Sequence, residues 1–93
     1  MNAAARATHL RQRARHLRHL ADAIETSPVM RLDLHGDGDT WRGVRSELCR
    51  STLARNQHQL HAVAEDLREH AWCIDRQADE LEAIARAQIV AAG

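Results

Sequence analysis

Seven histidines, two cysteines and thirteen arginines without a single lysine are the residues whose types could do chemistry in this chain. His16/His19 and His58/His61 stand three positions apart, so each pair could offer two imidazoles to a metal from one helix face. A zinc site needs three or four ligands that converge. His9, His16 and His58 fall on outward rows of the helices described below, with His35 in a connection and His70 apart, so solvated histidines are the favoured reading. Such histidines raise the net charge as pH falls toward about 6. Cys49 and Cys73 lie in one helical stretch, about 36 Å apart at 1.5 Å per residue. A disulfide needs Cα atoms within roughly 7 Å, so two reduced thiols are expected, Cys73 on an outer row and Cys49 beside covered early turns. Ser46, Ser51 and Thr52 have no His and acid converging on them. The carboxylate pairs Glu65-Asp66 and Asp79-Glu80 are sequence neighbours, which diverge around a helix. No Gly-rich phosphate loop is present. No catalytic residue, cofactor or metal is expected, and the chain does not read as an enzyme.

The arginines leave a second function class open. Arg6, Arg11, Arg13, Arg15 and Arg18 form a basic segment suited to phosphate contacts. The formal net charge is nevertheless zero, several of these arginines flank an apolar seam, and the acidic residues near the far end can neutralise them. Nucleic-acid binding is therefore the weaker reading. Arginine without lysine also points to a GC-rich bacterial coding sequence.

The elements that must position these residues are helices. Residues 3–27 lack Gly and Pro, and Leu10, Leu17 and Ile24 recur every seven positions, with Ala7, Ala14 and Ala21 each three positions before one of them. In heptad terms the alanines occupy a and the larger residues d. Ser27-Pro28 predicts the end of this helix, because the residue before proline is driven out of the helical region. Residues 28–40 read as a connection with turn chemistry at Asp37-Gly38-Asp39, and Asp39 or Thr40 suits the N-cap of a second helix. That helix is predicted over about 42–91. Leu53, Leu60, Leu67, Ile74 and Leu81 repeat every seven positions, with Ala64, Ala71, Ala78 and Ala85 at a and Gln57 as the polar exception. Leu10, Leu17, Ile24, Leu53, Leu60, Leu67, Ile74 and Leu81 are the expected seam. Truncating Leu60 or Leu67 to Ala is expected to cost about 2–5 kcal/mol. Trp41, Val44 and Leu48 lie outside this frame, and the apolar start of the connection is expected to cover them. The basic start of helix 1 and the acidic Asp75, Asp79, Glu80 and Glu82 near the end of helix 2 favour an antiparallel arrangement. The fold class is all-α, one domain over 1–93: a two-helix antiparallel hairpin.

The tripeptide Trp41-Arg42-Gly43 stands at the entry to the second helix. With the length of the chain and its helix–turn–helix layout, it resembles the WXG family, the small helical-hairpin proteins of bacterial type VII secretion. The resemblance covers nearly the whole chain. It implies antiparallel hairpins that pair into four-helix homo- or heterodimers, with the Trp near the turn contributing to the dimer groove and the Gly allowing a tight entry into helix 2. The family's C-terminal signal of Tyr, three residues, then Asp or Glu has no counterpart, since the chain has no Tyr and Arg76 follows Trp72 at that spacing. The resemblance thus implies either a partner that supplies the signal or a relative that stays in the cell.

A partner is expected on physical grounds as well. A two-helix hairpin buries one stripe per helix and has no disulfide or metal to reinforce it. Leu20, Val63 and Ile84 at g and Trp72 at b are the expected partner contacts, Trp being frequent among binding hot spots. The expected partner is a second copy, a related hairpin protein or a larger secreted protein. No segment has the ~20 apolar residues of a membrane span, and the N-terminus lacks the apolar run of a signal peptide. The expected location is the bacterial cytoplasm, with export through type VII secretion in a partner's company as an extension. An intracellular adaptor or antitoxin-like partner is the alternative within the same class.

Overall fold

The structure, a computed structural model, describes residues 2–32 and 43–92, with backbone only at 43, 44 and 46. The described residues are all-α: α1 (Ala3–Glu25), a single turn α2 (Pro28–Arg31) and α3 (Gly43–Ala92), with no strand among them.

α1 starts where a side chain takes over an orphan backbone donor. Ala5 N–H donates to Asn2 Oδ1 at 2.7 Å, which satisfies one of the N–H groups that a first helical turn leaves free. The helix stops two residues before the expected Ser27. Thr26 closes it by donating both its N–H (2.9 Å) and its Oγ1 hydroxyl (2.8 Å) to the Asp22 carbonyl. Ser27 is extended, as the residue before a proline should be. Pro28 then does what the sequence reading did not anticipate: it opens α2 at the first helical position, where a missing N–H leaves no bond unmade. The expected connection over 28–40 thus begins as helix through Arg31. Residues 33–40, including the Asp37-Gly38-Asp39 turn and both candidate caps, lie outside the described residues.

α3 runs for 50 residues, about 75 Å at 1.5 Å per residue. That length accounts for the longest dimension of the molecule, 75 × 16 × 15 Å. α1 lies along the C-terminal part of α3 with the opposite chain direction. The order of cross-helix bonds gives the direction: Arg11 meets Asp75, Asp79 and Glu82, Arg18 meets Asp75, and Asp22 and Glu25 meet Arg68. Each step of seven along α1 matches a step of seven backward along α3.

The core is built from small residues. Ala7, Ala14, Ala21, Ala64, Ala71 and Ala78 are all at most 1% exposed, and Ile74 at 3% is the bulkiest side chain packed among them. Ala14, Ala71 and Ile74 form the central cluster, with Leu10 and Leu17 packed on its edge. Alanine at these positions removes the side-chain bulk that normally holds helices 8–10 Å apart, so the two backbones can close on each other. Gln57, the polar a residue, sits where α1 has ended. Its amide donates to the carbonyls of Val29 at 2.7 Å and Leu32 at 3.1 Å, so it ties the chain beyond α1 back onto α3.

Two expectations are corrected here. Leu48 is 62% exposed and Cys49 is exposed, so the start of the connection does not cover this stretch. Leu48 falls on the row opposite the seam, which turns it away from anything packed on the a and d rows. Trp41 lies outside the described residues, as does the side chain of Val44.

Candidate interaction surface

A helix turns about 100° per residue, so the heptad rows of α3 occupy known directions around its axis. With the buried a row facing α1, the e row lies about 40° to one side and the d row about 60° to the other. The two flanks of the seam are different in kind.

The e flank is a ladder of ion pairs. Its α1 members are Arg11, Arg18 and Glu25, and its α3 members are Glu82, Asp75, Arg68 and His61. Arg11 donates from Nε to Glu82 at 2.7 Å and from Nη2 to Asp79 at 2.6 Å, with a longer contact of 3.4 Å to Asp75. Arg18 reaches the other Asp75 oxygen at 2.6 Å. Arg68 grips Glu25 with both terminal nitrogens, at 2.6 and 3.1 Å, and also reaches Asp22 at 2.9 Å. His61 lies between Glu25 (3.3 Å) and Glu65 (3.2 Å). Hydrogen bonds from Arg68 hold the Glu25 carboxyl below the ordinary glutamate range, and those from Arg11 do the same for Glu82. The bonded carboxylates in turn raise both guanidinium pKa values further, so these arginines stay charged at any working pH.

The d flank is aliphatic and open. Of the expected seam residues, Leu53 and Ile74 are buried, whereas Leu10, Leu17, Ile24, Leu60, Leu67 and Leu81 are only half-buried. Beyond them on the g row stand Leu20, Val63 and Ile84, exposed by 42, 46 and 48%. The alanine row therefore makes the contact between the helices, and the large d residues line its edge. An open groove of about 660 Å³ runs along this flank, walled by Leu10, Leu81 and Ile84 with Arg6, His9, Gln77 and Glu80 at its rim. A second, separate groove on this flank is lined by Val29, Leu60 and Val63.

The four expected partner contacts separate on this geometry. Leu20, Val63 and Ile84 share the d/g flank. Trp72, on the b row, lies about 140° around α3 from the g row, with the Arg76 guanidinium 4.9 Å from its ring centre. It is 56% exposed, and a stacked arginine on an aromatic face is a favourable contact in its own right. Trp72 is therefore not part of the aliphatic face. Of the tripeptide 41–43, Gly43 is the first residue of α3, and Trp41 and Arg42 lie outside the described residues.

His9, His16, His19, His58, His61 and His70 are all exposed, and no group of three or more metal-type ligands occurs among the described residues. His35 lies outside them. No described helix is long and apolar enough to cross a membrane.

Sequence reasoning missed the ladder as a one-sided device. It noted basic residues at one end and acidic ones at the other, but not that Arg68 reverses the polarity to meet Asp22 and Glu25. The e rows, written side by side in opposite directions, would have exposed it. It also passed over Ile89 and Val90, which are strongly exposed near the end of α3. Compared with known proteins, the chain matches no protein-family model, no curated protein and no solved structure.

Proposed function

We propose that this chain is a non-enzymatic protein–protein interaction module: an antiparallel helical hairpin that pairs with another helical hairpin into a four-helix bundle. The observation that carries this reading is the split between the rows of the seam. Alanines supply the closed contact between α1 and α3, which leaves a continuous row of large aliphatics half in water. A row of open apolar side chains rimmed by polar groups suits a binding face, and a second pair of helices is the element whose own stripe fits it. The WXG resemblance supports the same reading, and through it a role as a type VII secretion substrate or as the partner of one. The adaptor or antitoxin-like alternative uses the same face and differs in one observable: such a protein stays out of the culture filtrate even when its partner is co-expressed.

The nucleic-acid reading loses support, because Arg11 and Arg18 of the basic segment are spent on Asp75, Asp79 and Glu82. Failure to shift DNA or RNA at low ionic strength would remove it.

Molar mass in solution, measured by light scattering during size exclusion, tests the interaction reading. A species of about twice the 10.5 kDa chain mass is the expected result for self-pairing. A chain that folds only with a second hairpin protein would keep the module and change the partner. A well-folded monomer whose stability and solubility do not respond to Leu81→Ser or Leu60→Ser would end the reading, because the face would then have no binding use.

A further inference from the structure

We propose that the occupant of the aliphatic flank is a second copy of this chain, docked so that α1 of each copy lies over α3 of the other. The inference rests on the interaction reading above and adds the partner and the orientation.

Charge at the rim of the open flank selects both the occupant and its orientation. On the α1 side, the rows that border the leucines carry Arg6, His9, Arg13 and His16 and no acidic residue. On the α3 side, the bordering rows carry Asp66 and Glu80, with His70, and no arginine between residues 59 and 87. No ion pair among the described residues uses Arg6, Arg13, Asp66 or Glu80. The face is thus basic along one edge and acidic along the other, with leucine between.

Two identical faces can meet about a two-fold axis in two ways. An axis across the helices puts α1 over α1 and α3 over α3, with basic edge on basic edge and acidic on acidic. An axis along the helices puts α1 over the partner's α3, so that each basic edge meets an acidic one. Like charges placed opposite each other across an interface are strongly disfavoured. In the register set by the ladder, Arg13 stands level with Glu80, so the second arrangement brings Arg13 of one copy beside Glu80 of the partner subunit. It also places the overhanging N-terminal halves of the two α3 helices at the same end of the bundle, side by side. The first arrangement sends them to opposite ends.

The test is a distance between spin labels on the full chain, with Cys49 and Cys73 replaced by Ser and Arg55→Cys labelled. Arg55 is exposed and lies on the overhang. The proposed arrangement gives a separation of about 15–30 Å, the width of a helical bundle. The crossed-out arrangement gives about 70 Å, twice the rise from residue 55 to the middle of the paired region. A long distance in a dimer overturns the orientation and leaves the interaction reading intact. A folded monomer overturns the second copy as occupant; the interaction reading then stands or falls on the Leu60 and Leu81 variants. Charge reversal gives an independent readout. Arg13→Glu and Glu80→Arg alone should each weaken dimerisation at least tenfold, and together they should restore it. Strengthening by Arg13→Glu alone would count against the proposal, because it would relieve a like-charge clash that only the other arrangement contains.

Discussion

The two flanks of the α1–α3 seam are formed by the same helices over the same heptads, yet they have opposite characters. On one side, Arg11, Arg18 and Arg68 close the pair with short bonds to carboxylates on the facing helix. On the other, Leu10, Leu17, Leu60, Leu67 and Leu81 remain half in water and the g row adds Leu20, Val63 and Ile84. A helix pair that served only its own closure would turn its leucines inward and leave its charges at the rim. Here alanine takes the centre, and the leucines are displaced toward one side. Closing the α1–α3 pair and leaving large apolar side chains open thus fall to different rows of one repeat.

The largest effect that would sharpen this contrast belongs to the centre. Ile74→Ala removes the one bulky side chain that is almost fully buried, and should cost about 2–5 kcal/mol, read as a lowered unfolding midpoint by circular dichroism. If the leucines of the open flank prove as costly to truncate in the isolated chain, the division between rows is wrong. Next comes overpacking. Ala14→Leu forces a side chain between backbones brought together by alanine and should cost about 1–3 kcal/mol; an unchanged melting curve would mean the helices are not in close contact there.

Leu81→Ser on the open flank should do less to a dilute sample than either central change. On the proposal that this flank pairs with a second copy, its effect should grow with protein concentration. This modifies the expectation of about 2–5 kcal/mol for Leu60→Ala and Leu67→Ala: both leucines are half-buried, so in the lone helix pair the loss falls below that range. A loss independent of concentration would assign these residues to the seam alone.

The smallest effect concerns the ladder, whose members are exposed to solvent and screened by salt. Glu25 and Glu82 have folded-state pKa values below their ordinary 4.5. Their contribution is therefore complete above that value and is lost as pH falls through the lower, folded one. Stability should decline modestly below about pH 4.5, and Arg68→Gln should flatten that decline. An equally steep acid limb in the Arg68→Gln protein would place its origin elsewhere.

Much of this was legible in the sequence because a seven-residue repeat is a statement about direction. Leu53 through Leu81 with Ala64, Ala71 and Ala78 specify helix and identify the rows that turn toward a neighbour. The repeat does not fix how far the pair is rotated about its axes. A rotation of some 40–60° decides whether the d or the e row closes the gap, and the outcome depends on the small radius of alanine together with the reach of Arg11 and Arg68 across it. The helical turn at Pro28 was hidden for a similar reason: proline ends one helix and begins another equally well, and the choice depends on what lies beneath. Gln57 was visible as an interruption, but its amide's acceptors, the Val29 and Leu32 carbonyls, are backbone groups that no side-chain pattern reveals.

The ladder has one further consequence. A strict repeat of alanines is degenerate, since shifting one helix along the other by seven residues still lays alanine on alanine. The charges are not degenerate. Such a shift in one direction sets Arg18 against Arg68, and in the other sets Glu25 against Asp75 and Arg11 against Ile89. Arg-Arg-Glu on α1 and Arg-Asp-Glu on α3 therefore work as a vernier, two scales whose marks coincide at a single setting. The helices can zip up from any early contact and still stop at the same place.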